Sequence, residues 1–194
     1  MTQHPLIEKL TGTVECDETY VGGKVRVLPY KQKDDRQRRR FSGTSNKAAV
    51  FSVLQRDGSV RSRHVERVTA ENLKPVIDQM IAEDAEVMTD SSTVLHNALA
   101  GRLHYQVNHA DKEYVRYENG KCITTNGIEG FFSLLKRGIY GTYHQVGKPY
   151  LQQYLNEFDF RYNNRKITDL ERTEVALKAT EGKRLTLRRP IGVQ

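Results

Sequence analysis

Hydrophobic and polar positions alternate most cleanly over residues 13 to 21, TVECDETYV, with Val14 and Cys16 on one face and Glu15 and Asp17 on the other. That alternation predicts a strand, closed by Gly22-Gly23 and then Pro29. Residues 47 to 56, KAAVFSVLQR, predict a second strand, Asp57-Gly58 a hairpin turn, and residues 59 to 68 the returning third strand. The period then changes. After Thr69, an N-cap residue with Asn72 where a capping box has Glu, positions Leu73, Val76, Ile77, Met80 and Ile81 recur at helical spacing. This helix begins near Ala70 and ends before Glu86. EVMTD, residues 86 to 90, predicts a short strand ending on an aspartate; STVLHNALAG follows as a helix closed by Gly101, and HYQVNH as another short strand. Residues 110 to 124 read as an exposed loop.

In TNGIEGFFSLLKRGIYGTYH, residues 125 to 144, Ile128, Phe131, Phe132, Leu135 and Ile139 form one apolar stripe of a helix. Glu129 and Lys136 are seven residues apart, two helical turns, so they stand nearly above one another, with Asn126 and Ser133 on the same side. Alone, such a row is an ordinary polar edge with a surface ion pair. A last helix from about Pro149 to Asn163 carries Tyr150, Leu151, Tyr154, Leu155, Phe158 and Tyr162 as a stripe that reads as core. The order of elements is three antiparallel strands, helix, strand, helix, strand, helix, helix. It predicts an α/β, ribonuclease H-like fold with a central mixed five-stranded sheet flanked by helices. One domain at 13–165 is expected, between an N-terminal tail at 1–12 and a basic C-terminal tail at 166–194. In that fold an acid in the first strand, one at the end of the fourth and one on a late helix converge: Asp17, Asp90 and Glu129.

Composition narrows the partner. The 194 residues suit one well-buried domain, and a hydrophobic fraction of 37% with mean hydropathy −0.68 describes a polar-surfaced protein. Lys and Arg number 31 against 24 Asp and Glu, a net charge of +7, which favours a polyanion and nucleic acid first. The segment 31 to 47, KQKDDRQRRRFSGTSNK, reads as a loop; Arg38, Arg39 and Arg40 within it are either a solvated charge run or a nucleic-acid contact. Cys16 and Cys122 form no CxxC, so neither a disulfide framework nor a zinc ribbon is signalled. Met1 opens a polar stretch with no long apolar run. No signal peptide, membrane span or membrane partner is therefore expected, and the compartment is read as cytoplasmic, with nucleoid association when the chain is on DNA.

Three acids suit phosphodiester chemistry, because charge builds on both the attacking and the leaving oxygen and two divalent ions about 3.5–4 Å apart can stabilise both. Mg²⁺ takes hard oxygen ligands, which carboxylates supply. Each residue also has a plainer reading. Asp17 could face solvent, although strands are poor in Asp; Asp90 could cap the following helix; His109 could ligate at the same site or be a hydrogen-bonded loop residue. Glu15 shares the face of Asp17 and is its reserve. Between Asn126 and Glu129, the charge of Glu129 suits a metal better, with Asn126 capping the helix or supporting the site.

VECDETYVGGK, TDSSTVLH, VNHADKEYVR, TNGIEGFFSLLKRGIYGTYH and YLNEFDFRYNNR together resemble the catalytic domain of bacterial insertion-sequence transposases, the ISXO-like group related to Merlin elements. The resemblance runs from about Gly12 to Arg165. It implies a DDE-type enzyme that cuts and rejoins DNA ends with Mg²⁺ or Mn²⁺, two per site. Its partners would be double-stranded DNA, as transposon ends and target, and further copies of itself on that DNA. Asp17 matches the first acid, Asp90 the second, and the third lies at Asn126 or Glu129; Lys136 matches the downstream lysine. Arg137, Arg161 and Arg165, with the basic loop, are the expected phosphate contacts. The chain departs from the pattern at Thr124, Tyr150 and Leu95, where the family usually has histidine, histidine and an aromatic. Family members also usually carry an N-terminal zinc ribbon or helix-turn-helix, so a partial transposase lacking its DNA reader is expected. The alternatives are an inactive relic that only binds DNA and a ribonuclease H-like nuclease without strand transfer.

Overall fold

A computed structural model of the chain describes residues 8–23, 47–111 and 113–182. Residues 24–46, and with them Arg38, Arg39 and Arg40, lie outside the described residues, as do 183–194. Strands β1 (Thr13–Val21), β2 (Ala48–Gln55) and β3 (Val60–Val65) are followed by helix α1 (Ala70–Met80), β4 (Glu86–Asp90), α2 (Thr93–Ala98) and β5 (His104–Val107). A hairpin of β6 (Val115–Glu118) and β7 (Lys121–Thr124) leads into α3 (Asn126–Gly138), then α4 (Leu151–Asn163) and α5 (Asp169–Lys178). The main sheet has five strands in the order β3-β2-β1-β4-β5. β1 runs antiparallel to β2, and β2 to β3, whereas β4 is parallel to both β1 and β5. This is a mixed sheet with the ribonuclease H-like arrangement.

Period-two alternation decides what each face of the sheet buries. Val14 and Cys16 of β1 join Phe51 and Val53 of β2 beneath Leu73 and Ile77 of α1 and Leu95 of α2. On the opposite face Val21, Val50, Leu54 and Val60 pack against Ile128, Phe131 and Leu135 of α3 and Leu151 and Leu155 of α4. β2, covered on both sides, is an almost unbroken apolar run, as a doubly buried strand should be. The aromatic stripe of α4 packs as expected at Phe158 and Tyr162, whereas Tyr150 is largely exposed.

α4 also closes the outer edge of β3 with side chains. Asn163 accepts from the Val60 N–H at 2.7 Å and donates to the Val60 carbonyl at 3.0 Å. Asp159 accepts from the N–H and the hydroxyl of Ser62, both at 2.7 Å, and Ser52 donates to the Ser62 hydroxyl at 2.8 Å. Gln152 accepts from the His64 N–H at 2.9 Å and donates to the Ser62 carbonyl at 3.0 Å. Backbone groups of a strand edge need partners, and here a helix provides them.

Two stretches differ from the sequence reading. Residues 110 to 124 include the β6–β7 hairpin, whose Asn119 (φ 51°) and Gly120 (φ 75°) supply the two positive φ angles of a type I′ turn. The Asn-Gly signal stood in the sequence, but the strands have four residues each and Val115 and Glu118 face solvent, so no alternation marked them. Helix α5 occupies part of the stretch read as a basic tail; its start is fixed by a capping box between Thr168 and Glu171.

Candidate active site

β1 and β4 bring the first two acids together. Their parallel register pairs Glu15 with Met88, and Asp17 and Asp90 each lie two residues further along. Asp17 accepts from the Glu18 N–H at 2.7 Å. Its carboxyl is pushed up to about 8, first by burial and then by the negative charges of Asp90, Glu18 and Glu129; the Glu18 N–H opposes the shift. Among the described residues, the charges that act on it most strongly are all acidic. Asp90 Oδ1 accepts from the Ser92 N–H at 3.0 Å, while the N-cap of α2 is Ser92, whose hydroxyl receives the Leu95 N–H. Asp90 therefore braces the turn before the helix and does not cap it. Glu18 is likewise raised, by burial and then by Asp90, and its Oε2 is buried without a hydrogen-bond partner among the described residues.

Glu15, the reserve acid, is committed elsewhere. It is 3% exposed, pairs with Arg56 Nε at 3.1 Å and accepts the Ile128 N–H of α3 at 3.0 Å. Arg56 in turn donates to the carbonyls of Cys122 at 2.6 Å and Thr124 at 3.3 Å. This pair clips the end of β7 and the first turn of α3 onto the sheet. A Cβ on Gly127 would stand 2.7 Å from Glu15 Oε2 and 2.9 Å from Leu54 Cδ2, so only glycine permits the approach.

The clip sets the height of Glu129. Its Oε1 accepts the Thr125 hydroxyl at 3.2 Å and lies 3.1 Å from His109 Nε2. Thr125 occupies the N-cap of α3 but makes no side-chain capping bond. Asn126, read from sequence as a possible cap, is instead the exposed first residue of α3, and its N–H is received by the Thr124 hydroxyl at 3.2 Å. The roles of Arg56, Thr125 and Gly127 were not apparent in the sequence, because a buried ion pair and a close approach leave no periodic trace.

The donor set suits a hard divalent cation: a carboxyl on Asp17 raised by burial and by its acidic neighbours, and a buried oxygen on Glu18 with no hydrogen-bond partner among the described residues. Among the described residues no three His, Cys, Asp or Glu side chains are already gathered as ligands. Uncompensated carboxylates repel, and Glu129 Oε1 is turned to Thr125 and His109, so a cation would draw the oxygens inward.

Lys136 and Arg137 lie in the last turn of α3, two turns beyond Glu129. Arg161 pairs with Glu157 at 2.7 Å, and Arg165 donates to the carbonyls of Gly58 and Tyr162 and lies 4.1 Å from the Tyr162 ring centroid. Both arginines make contacts within the fold, and the Arg161 side chain stays 62% exposed. Among the described residues no helix is long and apolar enough to cross a membrane.

Comparison with curated proteins finds no match. The family model described as the ISXO2-like transposase domain matches residues 9–163, which span the whole main sheet, the acids and both helices of the second face. With that match over most of its length, the chain belongs to the ISXO2-like transposase domain family.

Proposed function

We propose that the chain cuts and rejoins DNA ends at Asp17, Asp90 and Glu129, with Mg²⁺ or Mn²⁺ held by these carboxylates. The family makes the protein a transposase and DNA its partner. The observation that carries the finer reading is the charge environment of Asp17: a half-buried carboxyl raised to about 8, with Asp90, Glu18 and Glu129 the charges that act on it most strongly among the described residues. Perturbation of this kind costs stability and is characteristic of functional sites. When bound, a pair of such ions would stabilise charge on the attacking and leaving oxygens alike.

The protein's own groups would divide the remaining work. Asp17, on the central strand, and Asp90, with Oδ1 tied to the Ser92 N–H, offer oxygens in fixed positions. Glu129 comes from a helix whose first turn is anchored by Glu15. Lys136 and Arg137 on the same helix would take DNA phosphates, and binding should weaken steeply with salt.

The test is Mn²⁺-dependent nicking and joining of labelled DNA by single variants. Asp17→Asn, Asp90→Asn and Glu129→Gln should each lose about 10³-fold, the order of several kcal/mol of transition-state stabilisation. Asn126→Ala should stay within about tenfold of wild type, since its loss removes no charged ligand. A Glu129→Gln enzyme that still works beside a dead Asn126→Ala would hand the third position to the asparagine. Nicking without joined product would make the chain a nuclease.

A further inference from the structure

We propose that His109 and Thr125 form a clamp that orients Glu129, with His109 donating through Nε2; the inference rests on Glu129 being the third carboxylate. His109 Nε2 lies 3.0 Å from Thr125 Oγ1 and 3.1 Å from Glu129 Oε1, and Thr125 Oγ1 lies 3.2 Å from the same Oε1. Thr125 is 1% exposed, so its hydroxyl has no water to turn to. A hydroxyl carries one proton, and this one is spent on Glu129. The ring nitrogen facing it must therefore bring a proton of its own.

The other ring nitrogen is enclosed as well. His109 Nδ1 is buried with no hydrogen-bond partner among the described residues. Among the described residues a proton there would find no acceptor, whereas Nε2 faces two oxygens. The ring is accordingly the Nε2–H tautomer. The Thr125 hydroxyl donates to Glu129 Oε1 and His109 Nε2 stands 3.1 Å from the same oxygen, which leaves Oε2 to a cation. Hydrogen-bonded carboxylate ligands of this sort are oriented by the groups behind them.

The surroundings hold His109 to this task. It opens a single 3₁₀ turn, His109–Asp111, directly after β5. Asn108 fixes that turn by donating its N–H to Glu113 at 3.0 Å and its side-chain amide to Asp111 at 2.6 Å. The ring of Tyr114, just before β6, lies 5.6 Å from the imidazole. The loop and the hairpin thus aim one side chain at the site. His109 is a positioning residue here, acting through Glu129.

Calorimetric titration of the full chain with MnCl₂ tests the clamp without any turnover. His109→Leu and Thr125→Val should weaken Mn²⁺ binding about tenfold, the lower end for such supporting groups. His109→Gln, whose amide nitrogen can reach the place of Nε2, should bind within about threefold of wild type. Melting curves check that each variant folds, and Thr125→Val keeps the question open to test if His109→Leu does not. Independently, imidazole nitrogen NMR of the metal-free protein should report the Nε2–H tautomer. An Nδ1–H ring, Leu binding as well as wild type, or Gln failing as badly as Leu overturns the clamp; the last result would make His109 a ligand or proton carrier. Loss of Mn²⁺ binding in Asp17→Asn with unchanged clamp variants would sink the clamp and spare the acid site. If wild type takes no Mn²⁺, the acid site falls and the tautomer still decides the clamp.

Discussion

Glu15 and Asp17 stand two residues apart on the same face of the same strand, and their environments are opposite. Glu15 has a guanidinium and a helix N–H, and it organises the chain around itself. Asp17 has one backbone N–H from its neighbour and three acids pressing on it. Glu15 is buried and Asp17 half-buried, yet only Glu15 is compensated. A compensated carboxylate is a structural joint, whereas an uncompensated one keeps a demand for positive charge. Asp159 offers a third case: burial raises it to about 7, yet two Ser62 donors hold it and oppose that shift.

Removing the compensation of Glu15 should have the largest effect on stability. Arg56→Met strands a buried carboxylate and frees the carbonyls of Cys122 and Thr124, and should cost about 3 kcal/mol in urea unfolding. Gly127→Ala, which forces a methyl against Glu15 and Leu54, should cost about 2 kcal/mol by the same measurement and lower metal-dependent nicking by shifting Glu129.

Asp17→Asn should do the reverse. The folded carboxyl titrates near 8 and an unperturbed aspartate near 3.8, so from about pH 4 to pH 8 the folded state keeps a proton that the unfolded state has released. Stability therefore falls as pH rises through that window. The asparagine variant should match wild type near pH 4 and exceed it by on the order of 2 kcal/mol at pH 8, with a flatter profile of melting temperature against pH. A variant less stable than wild type at pH 8 would erase the contrast with Glu15. The smallest effect is expected of Asp159→Asn: the Ser62 N–H and hydroxyl use separate carboxylate oxygens, an amide puts an NH₂ donor in one of those places, and a loss of about 1 kcal/mol should follow, opposite in sign to Asp17→Asn.

Most of the main sheet was legible because its faces obey one period. Val14 and Cys16 against Glu15 and Asp17 marked β1, and EVMTD matched β4 to the residue. Asp17, Asp90 and Glu129 were legible as candidates because strand order and helix phase are properties of the chain itself. What stayed hidden depends on three-dimensional neighbours. Nothing local distinguishes Glu15 from Asp17 until Arg56 arrives from 41 residues away. The β6–β7 hairpin was missed because its strands are short and half in water, and α5 because it shows no buried face. His109 could be named from the sequence, but its partner at Thr125 could not.

The side chains of α4 along β3 carry a consequence for assembly. Asn163, Asp159 and Gln152 fill the places a sixth strand would take at Val60, Ser62 and His64. Another chain cannot add itself to that rim without first peeling away a helix that also buries Leu151 and Leu155. Any second chain must therefore dock elsewhere than the β3 rim, and that side of the sheet is guarded against the runaway stacking by which exposed strands turn into fibrils.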